Sequence, residues 1–363
     1  MKLIFRRLSP ARALWPVFLF LILLFLPVLP LQASKDSPVI VIDPGHSGEN
    51  LGAVYKGYTE KELNMTVALA MYDELCKYDN VTVYLTHTDD TDMSLRERAE
   101  FAAAKDADFL FCLHFNMSPR HNLFGSEVWI SAFDEYYAKG YAFGQIQIKA
   151  MQDLGLYSRG VKTKLMQSGQ ADYYGIIRES RKVGVPCALI EHCHLDHKLD
   201  EGYYESTEKL QLLGRTDATS VARYFGLKSE ELGVDYSDYP VPEVALPTGI
   251  VKPDSTPPAV CEMRQVSCDS STGILTMELT AEDPDSPLLY YSYSINGGVT
   301  WSEFYPWEEG KSSILAKIHV PSGKPIPKVS MRVYNLFDRY TESNFIAYPT
   351  FHYVKPPFLK QDP

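Results

Sequence analysis

Val39-Ile40-Val41-Ile42-Asp43-Pro44-Gly45-His46 decides the reading of this chain. Four consecutive β-branched residues are too short for a lone helix and suit a strand buried on both faces. Asp43-Pro44-Gly45 then ends the strand, because Pro cannot extend a ladder and Gly tolerates unusual backbone angles. His46 thus falls just past the carboxyl end of a central strand, where open α/β sheets keep their ligand sites. Ala107 to His114 repeats this grammar, a buried strand ending in histidine, with Asn116 two residues on. Val185 to Glu191 repeats it again with a carboxylate at the exit.

Toward the N-terminus, residues 1–34 read as a signal peptide. Four basic residues precede or enter an apolar run from Ala13 to Leu31, and Leu31-Gln32-Ala33 offers a cleavage site. The rival reading is an uncleaved anchor, since nineteen residues approach a bilayer span. Either reading places the remainder outside the cytoplasm, with membrane contact only if the segment is uncleaved. The whole chain of 363 residues carries a net charge of −11, and residues 1–34 hold four bases and no acid, leaving −15 for the rest. That balance argues against nucleic acid or an anionic membrane surface as partner. The six cysteines include no CxxC pair and are too sparse for a disulfide scaffold; pairing of Cys261 with Cys268 stays open.

Along residues 35–227, strands alternate with helices. Thr59-Glu60-Lys61-Glu62 has the form of a capping box opening a helix to about Lys77, which puts Glu60 in the first turn. Val81 to Thr86 is a strand, and Ser94-Leu95-Arg96-Glu97 opens a second helix to about Lys105. Gly125 to Ser131 reads as a strand, Asp134 caps a helix to about Leu154, and Gly155 to Asp172 reads as loop. A short strand is expected near Tyr174 to Arg178, and Ser206 or Thr207 caps a last amphipathic helix. The expected fold is α/β, a mixed, mainly parallel sheet with helices on both faces.

Residues 228–258 hold six prolines and a surplus of acid, the composition of a semi-extended linker. Residues 259–355 turn all-β, with alternating short segments and an Asn296-Gly297 hairpin signal, which predicts a smaller immunoglobulin- or fibronectin-like sandwich. Residues 356–363 form a tail. The sandwich shows no catalytic constellation. Asp283 and Asp285 read as an acidic turn, and its Tyr and Trp residues mostly as core. Its expected partner is the cell wall or another protein.

His46, His114 and Glu191 at strand exits, with Glu60 at a helix start on the same edge, give two imidazoles and two carboxylates. Two imidazoles plus one carboxylate with an open fourth position form the ligand set of a catalytic zinc. An unligated second carboxylate would move the proton of a zinc-activated water.

The chain resembles the zinc-dependent N-acetylmuramoyl-L-alanine amidases of peptidoglycan over residues 38–227. The resemblance rests on Ile42 to Gly48, Glu60 to Asn64, Leu85-Thr86, Ser94 to Arg98, Ala107-Asp108 with His114 to Asn116, and Pro186 to Glu191. It implies zinc ligands at His46, Glu60 and His114, the catalytic acid/base at Glu191, and a secreted, wall-associated enzyme cutting between N-acetylmuramic acid and L-alanine. Asn116 and Arg178 are taken as substrate contacts, Arg178 as a bidentate donor to a stem-peptide carboxylate. The sequence departs from the family at Cys112, usually Ser, and after Glu191, where His192, His194 and His197 follow; these histidines are expected on a wet surface loop. The competing readings are a non-catalytic peptidoglycan-binding or regulatory module on the same fold, and a zinc peptidase acting on wall peptides.

Overall fold

A computed structural model describes residues 37–269, 272–320 and 328–347. The expected signal segment and C-terminal tail lie outside the described residues. Among the described residues, no helix is long and apolar enough to cross a membrane.

The elements run β1 (Val39–Pro44), β2 (Val54–Tyr55), β3 (Tyr58–Thr59), α1 (Glu60–Leu75), β4 (Thr82–Leu85), α2 (Leu95–Ala104), β5 (Phe109–Asn116) and β6 (Ser126–Ile130). They continue with α3 (Asp134–Asp153), β7 (Ser158–Thr163), α4 (Gly175–Lys182), β8 (Cys187–His194) and α5 (Thr207–Phe225). Six strands form one sheet in the order β4-β1-β5-β8-β6-β7. All neighbours are parallel except β6 against β8. The fold is therefore the mixed, mainly parallel sheet expected.

Each strand face has its own helical cover because the side chains alternate. Ile40, Ile42, Phe111, Leu113 and Ile190 face a core shared with α1, α3 and α5. Val41, Leu110, Cys112 and Leu189 face the α2–α4 side, packing on Ile176 and Ile177. Fully burying each such side chain is worth roughly 1.5–3 kcal/mol, so the sheet position of every strand end is firmly held.

Three local expectations give way. Tyr174 to Arg178 lies mostly in helix α4, whose Ile176, Ile177 and Ser180 form one buried face; a run of two isoleucines is too short to distinguish strand from helix. The stretch read as loop contains β7, which pairs with β6; its buried residues include Arg159 and Lys162, whose charges hid the strand. Thr59 makes no cap bond to the helix backbone, its hydroxyl donating to Glu62 Oε2 (2.6 Å). The first amides of α1 instead bond backward to loop carbonyls, Glu60 N–H to Ala53 O and Lys61 N–H to Leu51 O. Ser94 does form the full capping box with Glu97.

A separate all-antiparallel β region follows. After the short β9 (Lys228–Ser229) and β10 (Val234–Asp235) come β11 (Val260–Asp269), β12 (Ile274–Glu282), β13 (Leu288–Ser294), β14 (Tyr305–Pro306), β15 (Ser313–His319), β16 (Ser330–Asn335) and β17 (Tyr340–Glu342). Sheets β11-β12-β15 and β14-β13-β16-β17 share an apolar core around Leu275, Met277, Ile318, Met331 and Val333. Asn296-Gly297 turns the chain, yet β13 pairs with β14 at Tyr290–Pro306 and Tyr291–Tyr305, across a longer loop than a two-residue hairpin. Cys261 and Cys268 lie on the same strand and are unbonded.

Candidate metal centre and active site

The site starts at the strand break. Asp43, buried at the end of β1, accepts from Thr86 Oγ1 (2.6 Å), Arg98 Nη1 (2.6 Å) and the Cys112 thiol (Sγ–Oδ2 3.0 Å). Arg98, also buried, donates onward to Pro44 O, His46 O and Ser47 Oγ. One guanidinium from α2 thereby ties down the whole loop and holds His46 in a left-handed conformation (φ 66°), a state a non-glycine residue occupies only when its surroundings impose it. Removing one member of a buried ion pair strands the other. Arg98→Ala is accordingly expected to destabilise the protein by about 3–5 kcal/mol and weaken metal retention; equal melting and metal content in wild type and variant would contradict this.

Glu60 opens α1 and turns back under the loop. Its Oε2 lies 3.1 Å from His46 Nε2 and its Oε1 2.8 Å from His114 Nδ1. Ala53 N–H (2.8 Å) and Phe115 N–H (3.2 Å) also donate to it. Burial opposes its charge, but hydrogen bonds and attraction from the two imidazoles outweigh this and hold the carboxyl well below the usual range. The rings of His46 and His114 stand edge-on at 4.9 Å. One donor atom from each of His46, Glu60 and His114 lies within 4.8 Å of the others.

The surroundings fit an ion at that point. Asn50 Oδ1 engages the other ring nitrogen of His46 at 3.0 Å, the outer contact that orients metal-binding imidazoles. A Cβ on Gly45 would stand 2.4 Å from the His114 ring, and one on Gly52 would stand 2.5 Å from Glu60 Oε2. Two imidazoles and a carboxylate are a donor set for a borderline divalent cation such as zinc.

Glu191 is the direct neighbour of His114 across β5 and β8. It is buried, and its Oε2 has no hydrogen-bond partner among the described residues. Burial raises its pKa well above the ordinary carboxylate value, with further contributions from Glu60 and Glu127. Such a carboxyl, orphaned next to the His46–Glu60–His114 cluster, is suited to handling protons. A cleft of about 610 Å³ opens at His46 and His114, lined also by Arg98, Leu95, Tyr174 and Leu189.

Asn116 is engaged internally, its Nδ2 donating to Glu127 Oε1 (2.8 Å) and its Oδ1 accepting from Met117 N–H (2.8 Å). Arg178 Nη1 donates to the carbonyls of Asp172 (2.8 Å) and Tyr173 (3.0 Å), at the edge of the loop before α4. Sequence reading passed over Glu127, Arg159 and Lys162, three buried charges on β6 and β7; a carboxylate at the start of one apolar strand was the only available signal. The extra histidines are not on a wet loop. His192 and His194 are fully buried in β8, where Asp217 Oδ2 (2.8 Å) engages His192 and Gly125 O (3.2 Å) engages His194. Partners remote in sequence allow both imidazoles to lie inside.

Asp200 anchors that end of β8 by accepting from Gly125 N–H (2.7 Å) and His194 N–H (2.8 Å). Burial pushes its pKa from 3.8 up to about 6, against the pull of those amides. For an acid raised on folding, the neutral form is the favoured one. Its contribution to stability is therefore present below pH 3.8 and lost as pH rises through about 6. Asp200→Asn, which keeps an acceptor oxygen, is expected to gain about 1–3 kcal/mol relative to wild type between pH 4 and pH 7.5. Thermal unfolding at both pH values checks this, and a pH-independent difference would refute it.

An α/β sheet that brings together a His/Glu/His cluster able to hold a metal ion and a buried, partnerless carboxyl has the side-chain set of a hydrolase site. Residues 40–223 match the sequence profile of the N-acetylmuramoyl-L-alanine amidase family, and the chain belongs to that family. It is 28% identical over 195 residues to the N-acetylmuramoyl-L-alanine amidase CwlM of Bacillus licheniformis, covering 52% of this chain and 69% of the relative. It is 32% identical over 161 residues to the amidase LytC of Bacillus subtilis, covering 44% of this chain and 30% of LytC. The catalytic domain of CwlV from Bacillus (Paenibacillus) polymyxa var. colistinus superposes with a TM-score of 0.46 at 25% identity, over 53% of this chain and 99% of that domain.

Proposed function

We propose that this protein is an exported, zinc-dependent peptidoglycan hydrolase that cleaves the amide between the lactyl group of N-acetylmuramic acid and L-alanine. The observation that carries this reading is the convergence of His46, Glu60 and His114, from three separate elements, beside the unpartnered Glu191. Membership in the amidase family supports the bond. The basic-then-apolar residues 1–34 support export. We assign the reaction to residues 35–227 and a non-catalytic role to the β region.

In this reading His46, Glu60 and His114 hold the ion, which when bound supplies a Lewis acid for the amide carbonyl and makes water nucleophilic near neutral pH. Asn50 fixes the His46 ring, while the amides of Ala53 and Phe115 fix the Glu60 carboxylate. Glu191 takes a proton from the attacking water as its oxygen bonds to the carbonyl carbon. The same group then delivers that proton to the alanine nitrogen as the C–N bond breaks.

The test is mass spectrometry of peptidoglycan digested by the purified full chain. Intact stem peptides with a free L-alanine amine, and glycan retaining its lactyl acid, are expected. Shortened stem peptides would mean a zinc peptidase, and wall binding without release a non-catalytic module; either would overturn the proposal.

A further inference from the structure

Resting on that reading, we infer that the antiparallel β region is a fixed positioning element of the active site, acting through Arg159. Arg159 is 2% exposed, and its guanidinium reaches three elements. Nε donates to Glu127 Oε2 (2.9 Å), Nη1 to the Tyr290 hydroxyl (2.9 Å) on β13, and Nη2 to Asp338 Oδ2 (3.1 Å) in the β16–β17 turn. Lys162 Nζ shares Glu127 Oε2 at 2.8 Å. The Tyr290 hydroxyl in turn donates to Phe124 O (2.6 Å), two residues before β6.

Glu127 connects this clamp to the reaction. It is the register partner of Glu191 across β6 and β8, and it also accepts from Asn116, two residues beyond His114 on β5. The cage therefore holds both strands that flank Glu191. A guanidinium is a rigid planar fork, so the position of its Nε follows from what its two Nη groups grip. Here those grips are a phenol and a carboxylate of the β region. Two cations, Arg159 and Lys162, share one carboxylate on the sheet; Asp338 supplies the second negative charge.

The junction is close enough to leave no play. A Cβ on Gly160 would stand 2.7 Å from Leu336, the Tyr157 hydroxyl donates to Leu289 O, and Phe124 packs among Tyr157 and Tyr290. The preceding segment is bound as well: Val251 N–H donates to Ala132 O (2.8 Å), and its carbonyl accepts from Thr163 Oγ1 (3.1 Å). A freely tethered wall-binding module would need none of these contacts.

The experiment is Y290F/D338N in the full chain, assayed on a soluble muramoyl-peptide. The expected result is a fall in kcat of about tenfold with KM within about twofold, unchanged zinc content, and faster amide hydrogen exchange across residues 126–131 and 187–194. Asp338→Glu, which keeps the charge, should recover most of kcat. If the double variant fails to fold, D338N alone carries the test, with a smaller fall in kcat and the same change in exchange. An unchanged kcat and unchanged exchange, or a loss confined to insoluble wall, would overturn the inference. Should the wild-type chain release no stem peptide, the proposed function fails, while the exchange data still judge the Arg159 clamp.

Discussion

Glu191→Gln is expected to lower amide hydrolysis by about 10²–10⁴-fold, the usual worth of a positioned general acid–base, while zinc stays bound at one per chain. Gln has nearly the same shape but can neither accept the water's proton nor pass it to the leaving nitrogen. Stability should hold or rise, because the buried carboxyl lacks a hydrogen-bond partner for Oε2 and its charge is penalised by burial and by Glu60 and Glu127. Initial rates on a soluble muramoyl-peptide, metal analysis and melting decide the matter together. Activity within about tenfold of wild type would remove Glu191 from the mechanism, and loss of zinc would make it a ligand instead.

Stripping the metal is the second large effect. Dialysis against a chelator is expected to abolish hydrolysis, with recovery on adding one equivalent of zinc. His114→Ala should not recover, because it removes a donor atom and leaves Glu60 with one imidazole partner instead of two. Asn50→Ala forms an intermediate case: loss of the contact that orients His46 should weaken zinc binding by about 10–100-fold without abolishing activity at saturating metal. Competition titration against a chromophoric chelator gives the order wild type, Asn50→Ala, His114→Ala. Activity indifferent to chelation would end the metal reading.

Much of the site was legible because its residues stand at punctuation marks. His46 and Glu191 end apolar runs, His114 stands near the end of another, and Glu60 begins a helix; β5 and β8 run on past His114 and Glu191 to Asn116 and His194, yet their parallel register sets the two side by side. Cys112 shows the limit of reading by family habit. Where the resemblance leads to an expected Ser, its thiol donates to the same buried Asp43 that Arg98 and Thr86 hold, so a donor stays in place. Arg178, taken from its charge as a carboxylate contact, has its Nη1 bonded to two backbone carbonyls, a placement no local pattern announces.

Local pattern by itself determined the alternation of strands and helices and the switch to an all-β texture after residue 258; it nominated His46, Glu60, His114 and Glu191, whose roles came from the family resemblance. Burial periodicity and turn chemistry are properties of neighbours in sequence, which is why they could be read there. Only the tertiary structure decided that β6 runs against β8, that His192 and His194 are buried, and that Arg159 spans from Glu127 to Tyr290 and Asp338. A charged residue inside a strand looks like loop until its counter-charges are known. Those of Arg159 lie 32 and 179 residues away, beyond the reach of any local pattern.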